Sequence, residues 1–149
     1  MSRSVPRALF ALEWRRRLVL LALFFVPWTV LVAPGGTTLV FPWGLFNPAT
    51  RHVTTLPDYL FVLTSGLPRQ LLAWPLSVCL YLLAVLSSFA GRLEDRRVTG
   101  WLLVFAGITH VSFSLRFVHR TGYVVPLGPV CLWLCAWWFH CSDLGKIIE

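Results

Sequence analysis

The sequence predicts an all-α membrane protein: a four-transmembrane-helix bundle with a long membrane-associated outer loop between its first and second helices. Three observations predict it. Of the 149 residues, 57% are hydrophobic and 13% charged, where a soluble domain carries about 25% charged residues. Four apolar stretches stand out, at about 18–33, 71–90, 98–118 and 123–141, with lengths of 16, 20, 21 and 19 residues. Of the 19 Lys, Arg, Asp and Glu residues, Arg116 alone falls inside them. Residues 1–149 then read as one integral membrane domain with 34–70 as the outer loop, and too little polar sequence remains for a folded catalytic domain outside the bilayer.

A helix rises about 1.5 Å per residue and must cross about 30 Å of hydrocarbon, so the first stretch is short for a span. It borrows turns from Trp14 to Arg17, whose long side chains can reach the interface. Ala8 to Trp14 interleaves Leu9, Phe10 and Trp14 with Glu13, a pattern suited to an interfacial turn of helix. The basic start and Arg15-Arg16-Arg17 have the form of a signal peptide, but Leu31 and Pro34 flank Ala33 unfavourably for cleavage, so the first span is read as uncleaved. Pro34-Gly35-Gly36 ends it.

The outer loop carries three formal charges, Arg51, Asp58 and Arg69, among Phe41, Trp43, Phe46, Tyr59 and Phe61. Thirty-seven structureless residues would be unusual. Thr37 to Phe41 is therefore expected to be extended, Pro42 to Pro48 to form turns at the lipid headgroups, and Pro57 to Thr64 to be a short helix with Asp58 near its positive end. The second span starts near Pro68 and bends at Pro75. Gly91 to Arg97 is a tight charged connection in which Glu94 or Asp95 caps the third helix. That helix runs to about Val118, and His119 to Gly122 turns into a fourth with Pro126 and Pro129 in its outer third and Trp133, Trp137, Trp138 and Phe139 towards its end. Small residues mark the packing seams: Ala73, Ser77, Ala84, Ser88 and Gly91 on the second helix; Gly100, Gly107 and Ser114 on the third; Gly128, Cys131 and Cys135 on the fourth.

Basic residues set the orientation. Nine lie before the first span, between the second and third, and after the fourth; Arg51, Arg69, Arg116 and Arg120 lie on the other side. Lys and Arg are retained on the cytoplasmic side, which predicts a multi-pass cell-membrane protein with both termini cytoplasmic. The net charge of +7 is assigned to topology and anionic lipid headgroups, with the bilayer as partner and no nucleic acid.

His110 is the most informative residue inside a span, an ionisable group that could serve as proton relay, ligand or substrate contact, or be a neutral structural histidine. His140 is about 17 Å away in depth by helical rise, too far to share a haem iron. Cys131 and Cys135, four apart on one helix face, could join His110 on a soft metal, but small apolar packing accounts for them better. No metal or other cofactor is expected. Asp58 with Arg51 and Arg69 is a candidate polar cluster outside, and Glu94-Asp95-Arg96-Arg97 a candidate docking loop inside. G-x-S-x-G and H-E-x-x-H are absent, and no span holds an acid to act as base, so no catalytic residue is assigned.

The stretches Phe41-Pro42-Trp43-Gly44-Leu45, Val53-Thr54-Thr55-Leu56-Pro57-Asp58-Tyr59-Leu60-Phe61, Gly66-Leu67-Pro68, Leu72-Ala73-Trp74-Pro75-Leu76, Glu94-Asp95-Arg96-Arg97-Val98-Thr99, His110, Val125-Pro126-Leu127-Gly128 and Ala136-Trp137-Trp138-Phe139 together resemble an uncharacterised archaeal family of small integral membrane proteins. The resemblance runs from about residue 18 to 140. It implies four spans and genes often found near those of ABC transporters, with apolar residues at the positions of Cys79, Cys131 and Cys135. It carries over no catalytic residue. The function expected is a non-enzymatic accessory or interaction subunit, associated with a transport system such as an ABC transporter component. The alternatives are a small transporter using His110 in a central cavity, and an intramembrane metal or redox enzyme.

Overall fold

The computed structural model describes residues 7–62, 72–91, 95–119 and 122–144. In chain order the elements are α1 (Arg7–Ala22), β1 (Thr29–Ala33), β2 (Gly36–Phe41), β3 (Gly44–Asn47), β4 (His52–Thr55), α2 (Leu56–Phe61), α3 (Ala73–Phe89), α4 (Arg96–Val118), β5 (Tyr123–Val125) and α5 (Leu127–Leu144). The all-α, four-transmembrane-helix bundle is thereby corrected. The chain forms a mixed structure with a five-stranded antiparallel sheet in the order β4-β3-β2-β1-β5. Among the described residues, α4 alone is long and apolar enough to cross a membrane by length and composition; α3 and the described side of α5 are apolar but shorter.

Two of the four apolar stretches change character part-way. The first holds the end of α1 and the whole of β1, separated at Pro27, which cannot continue a helix. After it, Thr29-Val30-Leu31-Val32 is rich in β-branched side chains, which fit a pleated sheet better than a helix. The fourth begins with Tyr123-Val124-Val125 as a strand, and Pro126 separates this from α5. The outer loop is also more ordered than turns. Phe41 and Gly44 pair across Pro42-Trp43 to join β2 to β3, and Asn47 pairs with His52 across a turn in which Arg51 takes φ 53°.

β1 is the strand on which the sheet and helices meet. Val30 stands opposite Leu39 on one side and Val125 on the other. Thr29 and Leu31 alternate onto the buried face, while Val32 points out. Trp28, just before the strand, is fully buried and tied at three points: its backbone N–H donates to the Val40 carbonyl at 2.7 Å, its own carbonyl accepts from Gly128 N–H at 2.7 Å, and its indole N–H donates to the Leu23 carbonyl at 3.0 Å. Its ring meets Tyr81 and His110 edge-on, with centroids 5.1 and 5.2 Å apart.

The helical layer packs through the small residues. On α3 the buried face includes Ser77, Ala84 and Ser88 with Trp74, Val78 and Tyr81. On α4 it includes Gly107 and Ser114 with Leu103, Ala106 and His110. A Cβ at Gly107 would overlap the indole of Trp133 on α5, whose Nε1–H donates to the Val104 carbonyl at 3.2 Å. At Gly128 a Cβ would stand 2.6 Å from that of Trp28. α1 is held by Tyr81, whose hydroxyl donates to the Leu20 carbonyl, by Arg17 Nε donating to the Ser88 carbonyl at 2.9 Å, and by the Arg96–Glu13 ion pair at 3.1 Å.

Candidate functional site

His110 lies at the centre of a buried polar chain. Thr29 Oγ1 is 2.8 Å from His110 Nε2 and 3.0 Å from Ser114 Oγ, and Ser77 Oγ is 3.2 Å from His110 Nδ1. Ser77 also donates its only hydroxyl proton to the Trp74 carbonyl at 2.7 Å, so towards the imidazole it can only accept. Nδ1 must then carry a proton, and a neutral ring presents a bare Nε2 that accepts from Thr29. Thr29 in turn accepts from Ser114. The chain runs in one direction from Ser114 through Thr29, His110 and Ser77 to the Trp74 carbonyl, and every member is satisfied.

Aromatic rings close the surroundings. Trp28 stands edge-on and Phe113 is tilted, with its centroid 5.5 Å from that of His110. His110, Thr29 and Ser77 have no exposed surface. His110 lines neither of the two cavities described below. The arrangement joins β1, α3 and α4 at one point.

Two concave surfaces lie away from it. Between α4 and α5 a cleft of about 300 Å³ is floored by Gly100, Val104 and Ala136 and walled by Trp101, Trp133 and Trp137, with Arg96 and Arg97 at one end. On the sheet, a shallow depression of about 550 Å³ is lined by Thr38, Leu45, Asn47, Thr50, His52 and Thr54. The first is apolar with cationic groups at its mouth, and the second is ringed by hydroxyl, amide and imidazole side chains around Leu45.

A family model described as a domain of unknown function, DUF8050, matches residues 2–149. The chain belongs to the DUF8050 family. No curated protein matches it. The family description names no activity, so the roles of residues in this DUF8050 member rest on their own geometry.

Among the described residues, the candidate polar residues Arg51 and Asp58 sit on different elements. Arg51 sits in the turn before β4 and Asp58 in α2 after it, so the strand separates them. Asp58 belongs to a helix cap instead. Thr55 Oγ1 accepts from Asp58 N–H at 3.3 Å and donates to Asp58 Oδ2 at 2.7 Å, a reciprocal box that starts α2. In the same helix Tyr59 is buried against Trp74, and this burial raises its hydroxyl pKa. Arg69 and Glu94 lie outside the described residues, as do the side chains of His140 and Cys141. Asp95 caps α4 by accepting from Arg97 N–H at 2.9 Å. Cys79 is exposed on α3, Cys131 half-buried and Cys135 buried on α5; no group of three metal-ligating side chains forms among the described residues. Sequence reasoning missed Trp28 and Thr29. The available signal was a hydroxyl inside an otherwise apolar run, directly after a Pro-Trp pair.

Proposed function

We propose that the chain resides in the cell membrane and acts as a non-enzymatic accessory or interaction subunit, with a membrane-embedded transport component as the kind of partner it serves. One observation supports this above the rest: the outward faces of α3, α4 and α5 are apolar. Leu86, Trp101, Leu134 and Trp137 are 67%, 62%, 60% and 67% exposed, and Leu76, Leu83, Phe105, Ile108, Leu115 and Val130 extend the same surface. A helix that is apolar all round belongs in a hydrocarbon environment or against a partner, and monomers in water rarely expose such an area. α4, with 23 residues, reaches the length that hydrocarbon requires.

The sheet then lies towards the outer side, with Thr29 at the start of β1 reaching in to His110 on α4. The arginines of α1 and the start of α4 face the cytoplasm together with both termini, since Lys and Arg are retained there. His110 supports a non-enzymatic reading because each of its ring nitrogens meets a hydroxyl within the fold.

Membrane fractionation followed by alkaline carbonate extraction tests the location. The chain is expected in the carbonate-resistant pellet, and full recovery in the supernatant overturns the reading. Affinity purification in mild detergent with mass spectrometry tests the subunit role. A stoichiometric membrane partner is expected, and purification of the chain alone at every detergent tried overturns it.

A further inference from the structure

We propose that the cleft between α4 and α5 is a binding site for one anionic phospholipid, its headgroup on Arg97 and Arg96 and one acyl chain along the tryptophan walls. This rests on the membrane location proposed above and adds a defined ligand to it.

The cleft has the two chemistries such a molecule needs, in line with each other. Gly100 and Ala136 keep the floor low at the arginine end: a Cβ at Gly100 would stand 3.8 Å from the Ala136 carbonyl, an ordinary contact with open space around it. Trp101 and Trp137 stand exposed on either side, and Trp133 is fixed by its bond to the Val104 carbonyl. Such a channel of about 300 Å³ takes a saturated chain and offers no hydrogen bond to a polar one along most of its length.

At its end the chemistry changes. Arg97 is exposed and Arg96 half-buried. Arg96 is oriented by Glu13 at 3.1 Å, and Asp95 accepts from the backbone N–H of Arg97 and not from its side chain in that bond. Among the side chains that are described, α1 carries Arg15, Arg16 and Arg17 against Glu13, and the start of α4 carries Arg96 and Arg97 against Asp95, an excess of positive charge. Arg16 is stacked on the Phe139 ring at 5.5 Å, and Phe139 lies two residues beyond Trp137 on the same helix. A guanidinium presents a planar fork that matches phosphate oxygens, and tryptophan is suited to the depth at which a headgroup meets hydrocarbon. A zwitterionic headgroup places an ammonium group at this cationic end and gains less. Free phosphate lacks the chain that the apolar cleft recognises.

The test is native mass spectrometry of the full chain in mild detergent, with phosphatidylglycerol and phosphatidylcholine of matched chain length supplied in equal amounts. One phosphatidylglycerol retained per chain is expected, with selectivity over phosphatidylcholine of about tenfold, which corresponds to about 1.4 kcal/mol. Arg97→Gln is expected to remove the selectivity, and Gly100→Leu, which fills the floor, to remove retention of both lipids. Arg97→Lys keeps the charge and is expected to retain part of the preference. Inorganic phosphate at millimolar concentration is expected not to compete. Equal retention of the two lipids, displacement by inorganic phosphate, or selectivity unchanged in both Arg97→Gln and Gly100→Leu overturns the proposal. Thermal unfolding of each variant in the same detergent confirms that the lost binding belongs to a folded protein. Carbonate extraction separates the two failures: a chain that stays in the pellet but shows no lipid preference refutes the lipid site alone, and a chain in the supernatant refutes the membrane location beneath it.

Discussion

Thr29 Oγ1 stands 2.8 Å from His110 Nε2, so a single hydroxyl at the start of β1 is bonded to the middle of the longest described helix. The same oxygen reaches Ser114 Oγ at 3.0 Å. Thr29→Val keeps the shape of the side chain and removes the hydroxyl, leaving His110 Nε2 and Ser114 Oγ to lose a partner in a closed site. The expected cost is about 1–3 kcal/mol. Thermal unfolding in detergent should show Thr29→Val clearly below the parent protein and Thr29→Ser close to it. Equal stability of all three would show that the polar chain contributes nothing.

Gly128 is expected to tolerate no side chain. Gly128→Ala would bring a methyl group 2.6 Å from Trp28 Cβ and 3.0 Å from its Cα, and both belong to a residue pinned through its backbone. Relief requires moving α5 away from β1, at a cost of about 1–3 kcal/mol. Gly100→Ala, whose added methyl has only ordinary contact at 3.8 Å, serves as the control and should unfold with the parent protein.

Trp28→Ala should be the most damaging single change in the molecule. It empties the space between Tyr81 and His110 and leaves the Leu23 carbonyl without the indole donor. Loss of a large buried aromatic side chain costs about 3–5 kcal/mol. Trp28→Phe recovers most of the volume but not the donor, so its unfolding midpoint should fall between those of the parent protein and Trp28→Ala.

Thr55→Ala removes both halves of the box that begins α2, since its hydroxyl serves the backbone and the carboxylate of Asp58. The expected cost is about 1 kcal/mol. The double variant Thr55→Ala/Asp58→Ala should cost less than the two single changes added together, because each removes the other's partner.

Glu13→Gln should change stability little. The Arg96–Glu13 pair stands at 3.1 Å, but the Glu13 side chain is 44% exposed and solvent screens the pair. A change of about 0–1 kcal/mol, decreasing with added salt, is expected from titrations of unfolding against ionic strength.

The helices at 73–89 and 96–118 were legible because a long apolar run ending at charged or breaker residues has few other solutions, and small residues at seams such as Ser77, Ala84, Gly107 and Ser114 marked their buried faces. The sheet was not legible as a sheet. Residues 28–33 and 123–125 are short, largely apolar runs, and such runs have the same appearance in a helix segment and in a short strand. Each adjoins a helical segment across a proline, Pro27 or Pro126, and the chain changes conformation around it. His110 could be singled out from its position, but not its partners. Thr29 and Ser77 lie in segments far from it in sequence, and only the pairing of β1 with both β2 and β5 brings Thr29 onto α4.

The order of the sheet has a consequence during synthesis. β1 pairs with β2 almost at once, but its other edge waits for Tyr123, Val124 and Val125. Until those residues leave the ribosome, the backbone groups of Val30 and Val32 on that side remain open to any passing strand. The nascent chain must therefore carry an unfinished edge through the production of α3 and α4, and the sheet closes only after both helices have been made.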